Sequence, residues 1–285
     1  MSIILDHVTY IYGKDTPEER HALKDVSFVV PKGQFIGIIG HTGSGKSTLI
    51  QLMNGLLQPA DGMVLFEGED ISDKDYDKKK LREKVGMVFQ YPEHQLFEST
   101  VFQDVCFGPR NLGLSRKEME LRAFQALRLM NFPEELYYQS PFDLSGGQKR
   151  RAAIAGVLAM EPDFLILDEP TAGLDPRGRD EILGLIARLK EEQGKTILLV
   201  SHSMDEIAGY ADRILVMSEG KLLMDGAPKE IFARYRKLEE IGLAAPQVTY
   251  IMNALQERGL PVRTSPITIN EAKREILRVL RHSTL

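Results

Sequence analysis

Three short stretches carry residue types that could do chemistry together. The first is Gly40-His41-Thr42-Gly43-Ser44-Gly45-Lys46-Ser47, which fits the spacing G-x-x-x-x-G-K-[ST]. Glycines let a backbone turn so that successive N–H groups converge on phosphate oxygens. Lys46 adds a mobile positive charge for β- and γ-phosphates, and Ser47 adds a hydroxyl for Mg²⁺. The second stretch is Asp168-Glu169, at the end of the apolar run 164–167. Asp168 is placed to hold Mg²⁺, directly or through water, and Glu169 to polarise an attacking water. The third is Leu144-Ser145-Gly146-Gly147-Gln148, followed by Lys149-Arg150-Arg151. Ser145 and the glycines open a predicted helix, and a helix N-terminus with free N–H groups is another anion site. One chain needs one such loop for its own nucleotide. The economical reading is a dimer in which residues 144–148 cap the nucleotide held by the partner.

These residues need elements that hold them. Residues 3–9, 22–30 and 34–39 are rich in Val, Ile and Phe and read as strands, separated by turn material such as Pro31-Lys32-Gly33. A helix is predicted over 47–54, ending at Gly55, so the glycine-rich loop lies between a strand and a helix. Residues 64–67 and 85–90 read as further strands, and roughly 91–160 as helical. The run 164–167 is continuously apolar, as in a buried parallel strand, and 196–200 and 213–217 repeat that character after a polar first residue. Ile182, Leu185, Ile186 and Leu189 keep helical spacing between two of them. Strands alternating with helices imply βαβ units and a mostly parallel sheet. Ligands of such sheets bind beyond the carboxyl ends of the strands. Near the end, Val248, Ile251, Met252 and Leu255 mark one helix, and Thr268-Ile269-Asn270-Glu271 reads as a capping box opening another. Residues 235–285 therefore read as a small appended domain, and 1–234 as the main one.

Composition narrows the function classes. The balance of 43% hydrophobic and 27% charged residues is that of a globular chain. A net charge of −5 argues against a nucleic-acid surface. Cys106 is the only cysteine, so an internal disulfide and a multi-cysteine metal site are excluded. The first residues lack the basic and apolar regions of a signal peptide. No apolar run approaches the roughly 18 residues of a spanning helix. A link to a membrane is expected through a partner protein.

The order of these motifs resembles the ABC ATPases over about residues 1–230. The resemblance implies an α/β P-loop NTPase fold: a RecA-like, mostly parallel sheet, an antiparallel β subdomain and an inserted helical subdomain. The loop 40–47 resembles Walker A, and with Thr48 it is expected to bind ATP. Residues 164–169 resemble Walker B, and 144–148 the signature loop. Gln90 resembles the Q-loop glutamine that senses Mg²⁺ and the transport partner, and Leu174-Asp175 the D-loop. His202, after the strand 196–200, resembles the switch histidine that contacts the γ-phosphate. Tyr12 resembles the aromatic residue that stacks on adenine.

Finer motifs are similar to the energy-coupling factor subgroup of importers. They are Phe89-Gln90-Tyr91-Pro92-Glu93-His94-Gln95-Leu96-Phe97, then Asp104-Val105 and Phe107-Gly108-Pro109. The C-terminal extension resembles one that these ATPases carry, and within the subgroup the Tyr91–Phe97 version and the Thr9–Arg20 insertion look like the second of two paired ATPases. The resemblance implies three partners: a second ATPase, a transmembrane coupling subunit and a membrane-embedded substrate-binding subunit. It also implies a peripheral place on the cytoplasmic face of the membrane, and vitamins or transition-metal ions as cargo. The segment after Gln90 is expected to form the coupling groove. Its acids Glu93, Glu98 and Asp104 and its apolar Leu96, Phe97 and Phe102 would receive a basic helix. Two other readings stay open: the ATPase of a conventional binding-protein-dependent importer, and a soluble ABC ATPase. The interval 90–143 lacks the sustained heptads of DNA-organising members.

Overall fold

The computed structural model describes residues 1–282. Its strands are β1 (Ser2–Tyr12), β2 (Arg20–Pro31), β3 (Phe35–Gly40), β4 (Asp61–Phe66), β5 (Glu69–Asp70), β6 (Val85–Val88), β7 (Phe164–Asp168), β8 (Thr196–Val200), β9 (Arg213–Ser218) and β10 (Lys221–Gly226). Its helices are α1 (Lys46–Met53), α2 (Lys78–Lys84), α3 (Val101–Leu112), α4 (Arg116–Leu129), α5 (Gly146–Leu158), α6 (Pro176–Gln193), α7 (Met204–Tyr210), α8 (Pro228–Phe232), α9 (Tyr235–Glu240), α10 (Gln247–Glu257) and α11 (Ile269–His282).

The larger sheet has six strands in the order β10-β9-β3-β8-β7-β6. Five run parallel, and β10 pairs antiparallel with β9 at the edge. Every residue of β3, β7 and β8 is buried. Apolar side chains on both faces of these strands require cover on both sides, which is why their sequences show no alternation. The pairings Ile38–Val200 and Asp168–Val200 bring the carboxyl ends of β3, β8 and β7 together. The loops leaving these three strands therefore meet at one place.

The smaller sheet is antiparallel, in the order β2-β1-β4-β5. Its inner face, with Leu5, Val26 and Val64, packs with Leu49 and Ile50 of α1 and with Ile36, Ile166 and Leu198 of the larger sheet. Phe66 meets Phe164 edge to face at 5.9 Å. A third layer of α3, α4 and α5 is inserted between β6 and β7, and Phe102, Leu127 and Ile154 join it to the main core. The fold is thus the expected α/β P-loop type, with antiparallel and helical parts.

Several bounds differ from the sequence expectation. β1 runs to Tyr12 because register shifts bend the β1–β2 pair and keep it together past Thr9. β6 stops at Val88, so Gln90 lies in the loop beyond it. Strand β10 and the short helices α2, α7, α8 and α9 were not legible. They span five to seven residues each, too few for periodicity to register.

At the C-terminus, Leu238, Leu243, Ala245 and Ile267 pack into the main core. α10 and α11 share a separate cluster of Val248, Met252, Val262, Ala272 and Val279. Thr268 accepts a hydrogen bond from the N–H of Glu271, as a cap should. The Glu271 carboxylate reaches one residue further back than a capping box requires, to the N–H of Ile267 at 3.0 Å.

Candidate functional site

The loop after β3 is shaped by its glycines. Gly45 has φ +102, and a Cβ there would lie 2.6 Å from the carbonyl oxygen of Ala22. Only glycine tolerates both the conformation and the approach. α1 starts at Lys46, one residue earlier than the sequence reading. The Lys46 ammonium is buried and donates to the carbonyls of Gly40 (2.7 Å) and His41 (3.0 Å). Burial lowers its pKa, against the opposing pull of Glu169 and Asp168. Ser47 Oγ donates to Asp168 Oδ2 at 3.2 Å, so two of the three expected Mg²⁺ residues, Ser47, Asp168 and Gln90, already touch. The Tyr12 ring is partly exposed at the end of β1, and its hydroxyl lies 3.2 Å from Thr48 Oγ1.

Glu169 follows β7 with φ +49, a left-handed conformation uncommon for glutamate. Its N–H bonds to Val200 O at 3.0 Å, which pins this turn to β8. One carboxylate oxygen lies 2.7 Å from His202 Nε2, and the other accepts from Gln90 Nε2 at 3.2 Å. Three residues far apart in sequence thus form one polar group. Strain at a turn whose side chain is held this way is a mark of functional sites.

Most of these residues line a cleft of about 380 Å³; Asp168 does not line it and is reached through Ser47. Tyr12, Thr42, Gly43, Gly45, Lys46, Ser47, Thr48, Gln90, Glu169 and His202 all face it. Gly40, His41 and Ser44 support the loop without lining the cleft. Ser44 is buried, and the His41 ring turns onto the Thr42 carbonyl at 2.8 Å. Leu144, Ser145, Gly146, Gly147, Gln148 and Asp175 do not line it either. Ser145 caps α5, with Gln148 bonded reciprocally, and the space beside Gly146 and Gly147 is open. Asp175 caps α6 through the N–H of Gly178 at 2.7 Å.

Sequence reasoning missed Arg20, which also lines the cleft. The β1–β2 register pairs Tyr12 with Arg20, and the guanidinium faces Gly43 of the phosphate loop. Nothing local marks this arginine, because only strand pairing carries it there.

The three acids expected to line a groove after Gln90 each have partners within the chain. Glu93 is held by Arg150 through two contacts, of 2.7 and 3.1 Å. Burial would raise its pKa, but the Arg150 hydrogen bond and charge prevail and hold it below the usual range. Asp104 is buried and accepts from the N–H groups of Phe97 and Glu98. Glu98 pairs with Arg110 at 2.7 Å. Leu96 and Phe102 are buried, whereas Phe97 is 56% exposed. All three acids are therefore engaged within the chain. Beside them lies an apolar cavity of about 550 Å³, lined among others by Leu56, Met87, Phe97, Phe107 and Met160.

Asp168 is held above its ordinary pKa by burial and by the Glu169 charge, against Ser47, Lys46 and His202. A carboxyl raised in the folded state costs no stability below its unfolded pKa. It weakens the fold as pH rises from the unfolded pKa to the higher folded value, and the full loss persists above that. Asp168→Asn is therefore expected to raise the nucleotide-free Tm at pH 7.5, by about 2 °C. An unchanged or lower Tm in a thermal scan would contradict this electrostatic account.

The family model described as ABC transporter matches residues 23–172. The "Energy-coupling factor transporter ATP-binding protein EcfA2" of Clostridium tetani is 52% identical over 283 residues, covering 99% of this chain and 98% of that protein. The protein of the same name from Symbiobacterium thermophilum is 54% identical over 280 residues, covering 98% and 97%. Among solved structures, cbiO1 from Clostridium perfringens, part of the ABC transporter complex cbiONQ, is 41% identical with TM-score 0.74, covering 88% of this chain and 98% of that one. A dimeric ATP-binding cassette bound to ADP and Pi is 30% identical with TM-score 0.70, covering 79% and 98%. With its phosphate loop, paired carboxylates and signature loop in one fold, and relatives matched along nearly their whole length, the chain belongs to the energy-coupling factor transporter ATP-binding proteins of the ABC transporter family.

Proposed function

We propose that this chain hydrolyses ATP in a composite site shared with a second ATPase and so drives cargo uptake through membrane partners. The observation that carries this reading is the Gln90–Glu169–His202 group at the mouth of the phosphate-loop cleft. ATP would lie with its phosphates against residues 42–48 and its base against Tyr12. Lys46 would exchange its two loop carbonyls for phosphate oxygens, a stronger charge-assisted contact. Ser47 and Asp168 offer a hydroxyl and one carboxylate. That set suits Mg²⁺, which is usually held by one or two protein ligands plus phosphates. When bound, Mg²⁺ would neutralise charge developing on the phosphates. Glu169 would accept the proton of the attacking water, and His202 would orient Glu169 and contact the γ-phosphate.

The loop 144–148 lies outside this cleft and would close over the nucleotide of the partner ATPase. A heterodimer of paired ATPases fits the relatives' name and the Tyr91–Phe97 motif. Residues 235–285 would add to that pairing, since Ile251, Ile269 and Leu277 keep apolar surface exposed on α10 and α11. Among the described residues, no helix is long and apolar enough to cross a membrane. Attachment to the cytoplasmic face would come through a transmembrane coupling subunit, which in turn holds the membrane-embedded substrate-binding subunit. The cargo class, vitamins or transition-metal ions, is set in that subunit. No nucleic-acid partner is proposed.

The coupling helix would enter the apolar cavity beside Phe97. Its contact would rest on apolar burial, since the nearby acids are already paired. Phe97→Asp places a charge on that surface and is expected to weaken assembly with the transmembrane subunit at least tenfold, as loss of an aromatic anchor does. ATP affinity of the isolated chain should stay within twofold. Co-purification yields that match wild type would remove the cavity from this role.

A further inference from the structure

Arg150 lies on α5, five residues after Ser145, and is 3% exposed. Its guanidinium makes four contacts. Nε and Nη2 donate to the Glu93 carboxylate at 3.1 and 2.7 Å. Nη1 donates to the carbonyls of Pro170 (3.1 Å) and Ala172 (2.6 Å). Glu93 belongs to the short turn Pro92–Gln95, which begins two residues after Gln90. Pro170 and Ala172 belong to the segment between Glu169 and Asp175. One buried cation therefore touches both strand exits that carry the Gln90–Glu169 contact, from the helix that the signature loop opens.

The same segment is held from its other side. Thr171 Oγ1 bonds to the buried Glu206 carboxylate at 3.1 Å. Glu206 also accepts from Ser201 Oγ at 2.6 Å, one residue before His202. Arg179 of α6 lies 3.2 Å from it as an ion pair. Three successive residues, 170 to 172, are thus clamped between the helical layer and the switch-histidine loop. A fork of this geometry fixes orientation as well as distance, and lysine cannot reproduce it.

We propose that Arg150 is a positioning residue for hydrolysis: it locks the turn after Gln90 to the segment 170–172, so that Glu169 and the Asp175 loop are carried in register with the signature helix. It does not touch the nucleotide cleft. Its loss should leave binding alone and misplace Glu169, and misplacing a catalytic group by about 1 Å costs on the order of 10²-fold in rate. The inference rests on the assignment of Glu169 as general base.

The test compares Arg150→Lys, Glu93→Gln and the double variant, each as the full chain assembled with its partner ATPase and membrane subunits. Arg150→Lys is expected to lower kcat about 10–100-fold, with the Kd of a fluorescent ATP analogue within twofold of wild type. Glu93→Gln, which keeps size and leaves the carbonyl contacts, should lower kcat by a smaller factor at the same Kd. The double variant should be no slower than Arg150→Lys, because the two residues act as one unit. If Arg150→Lys fails to fold in a thermal scan, the Glu93→Gln split between kcat and Kd decides alone. A kcat within twofold of wild type for both single variants overturns the proposal. So does a nucleotide affinity that falls in step with kcat, or strictly multiplicative losses in the double variant. Glu169→Gln is run alongside. If it is inactive while the Arg150 and Glu93 variants are normal, only the positioning role fails. If it retains activity, both assignments fall.

Discussion

Glu169→Gln is expected to lower ATP turnover about 10²–10⁴-fold, the usual contribution of a general base, while nucleotide affinity stays within a few-fold. The amide has the size of the carboxylate and can still meet Gln90 and His202, which hold the two Glu169 oxygens at 3.2 and 2.7 Å. The φ of +49 and the N–H bond to Val200 belong to the backbone and survive the change. Only basicity is removed. Lys46 and Ser47, which would meet the phosphates, are untouched. The variant should therefore bind ATP, close on its partner and stay closed. Steady-state hydrolysis measured with a coupled assay gives the rate. A rate within a few-fold of wild type would take Glu169 out of the base role.

The site was legible in sequence where chemistry and local structure coincide. The phosphate loop sits between a buried strand and a helix, and both flanks announce themselves within a dozen residues. Asp168 ends, and Glu169 directly follows, a strand marked by a continuous apolar run. Partnerships across long sequence separations were not legible. Glu93 looked like a free acid because its partner Arg150 lies 57 positions away. Arg20 lay at the end of the Thr9–Arg20 stretch, before the strand expected over 22–30, and only its pairing with Tyr12 brings it to the cleft. Asp104 looked like an acid of the expected coupling groove. Its carboxylate is spent on two N–H groups of the preceding turn, a local bond that residue type alone does not reveal. The edge strand β10 has one buried residue in six, so neither alternation nor an apolar run marks it.

Ser145→Arg should abolish hydrolysis at the partner's nucleotide while this chain binds its own nucleotide as before. Ser145 accepts from the Gln148 N–H at 3.4 Å, and its own N–H donates to Gln148 Oε1 at 2.9 Å. Arginine removes that cap, at a cost of about 1 kcal/mol, and places a cation at the positive end of α5. The long side chain also fills the open space beside Gly146 and Gly147 that a partner's phosphates would occupy. None of residues 144–148 lines the cleft of the same chain, so an effect on cis binding has no route. In an asymmetric pair the change should silence one composite site of two. A strong loss of ATP affinity in the isolated chain would contradict the trans assignment.

The central claim is that ATP bound in this cleft is enclosed by the signature loop of another ATPase. Sedimentation of the Glu169→Gln chain with its partner ATPase tests it directly, with ATP and with ADP. ATP is expected to tighten pairing at least tenfold over ADP, about 1.4 kcal/mol, and Ser145→Arg should reduce that gain. Pairing of equal strength with ATP, with ADP and without nucleotide would contradict the account.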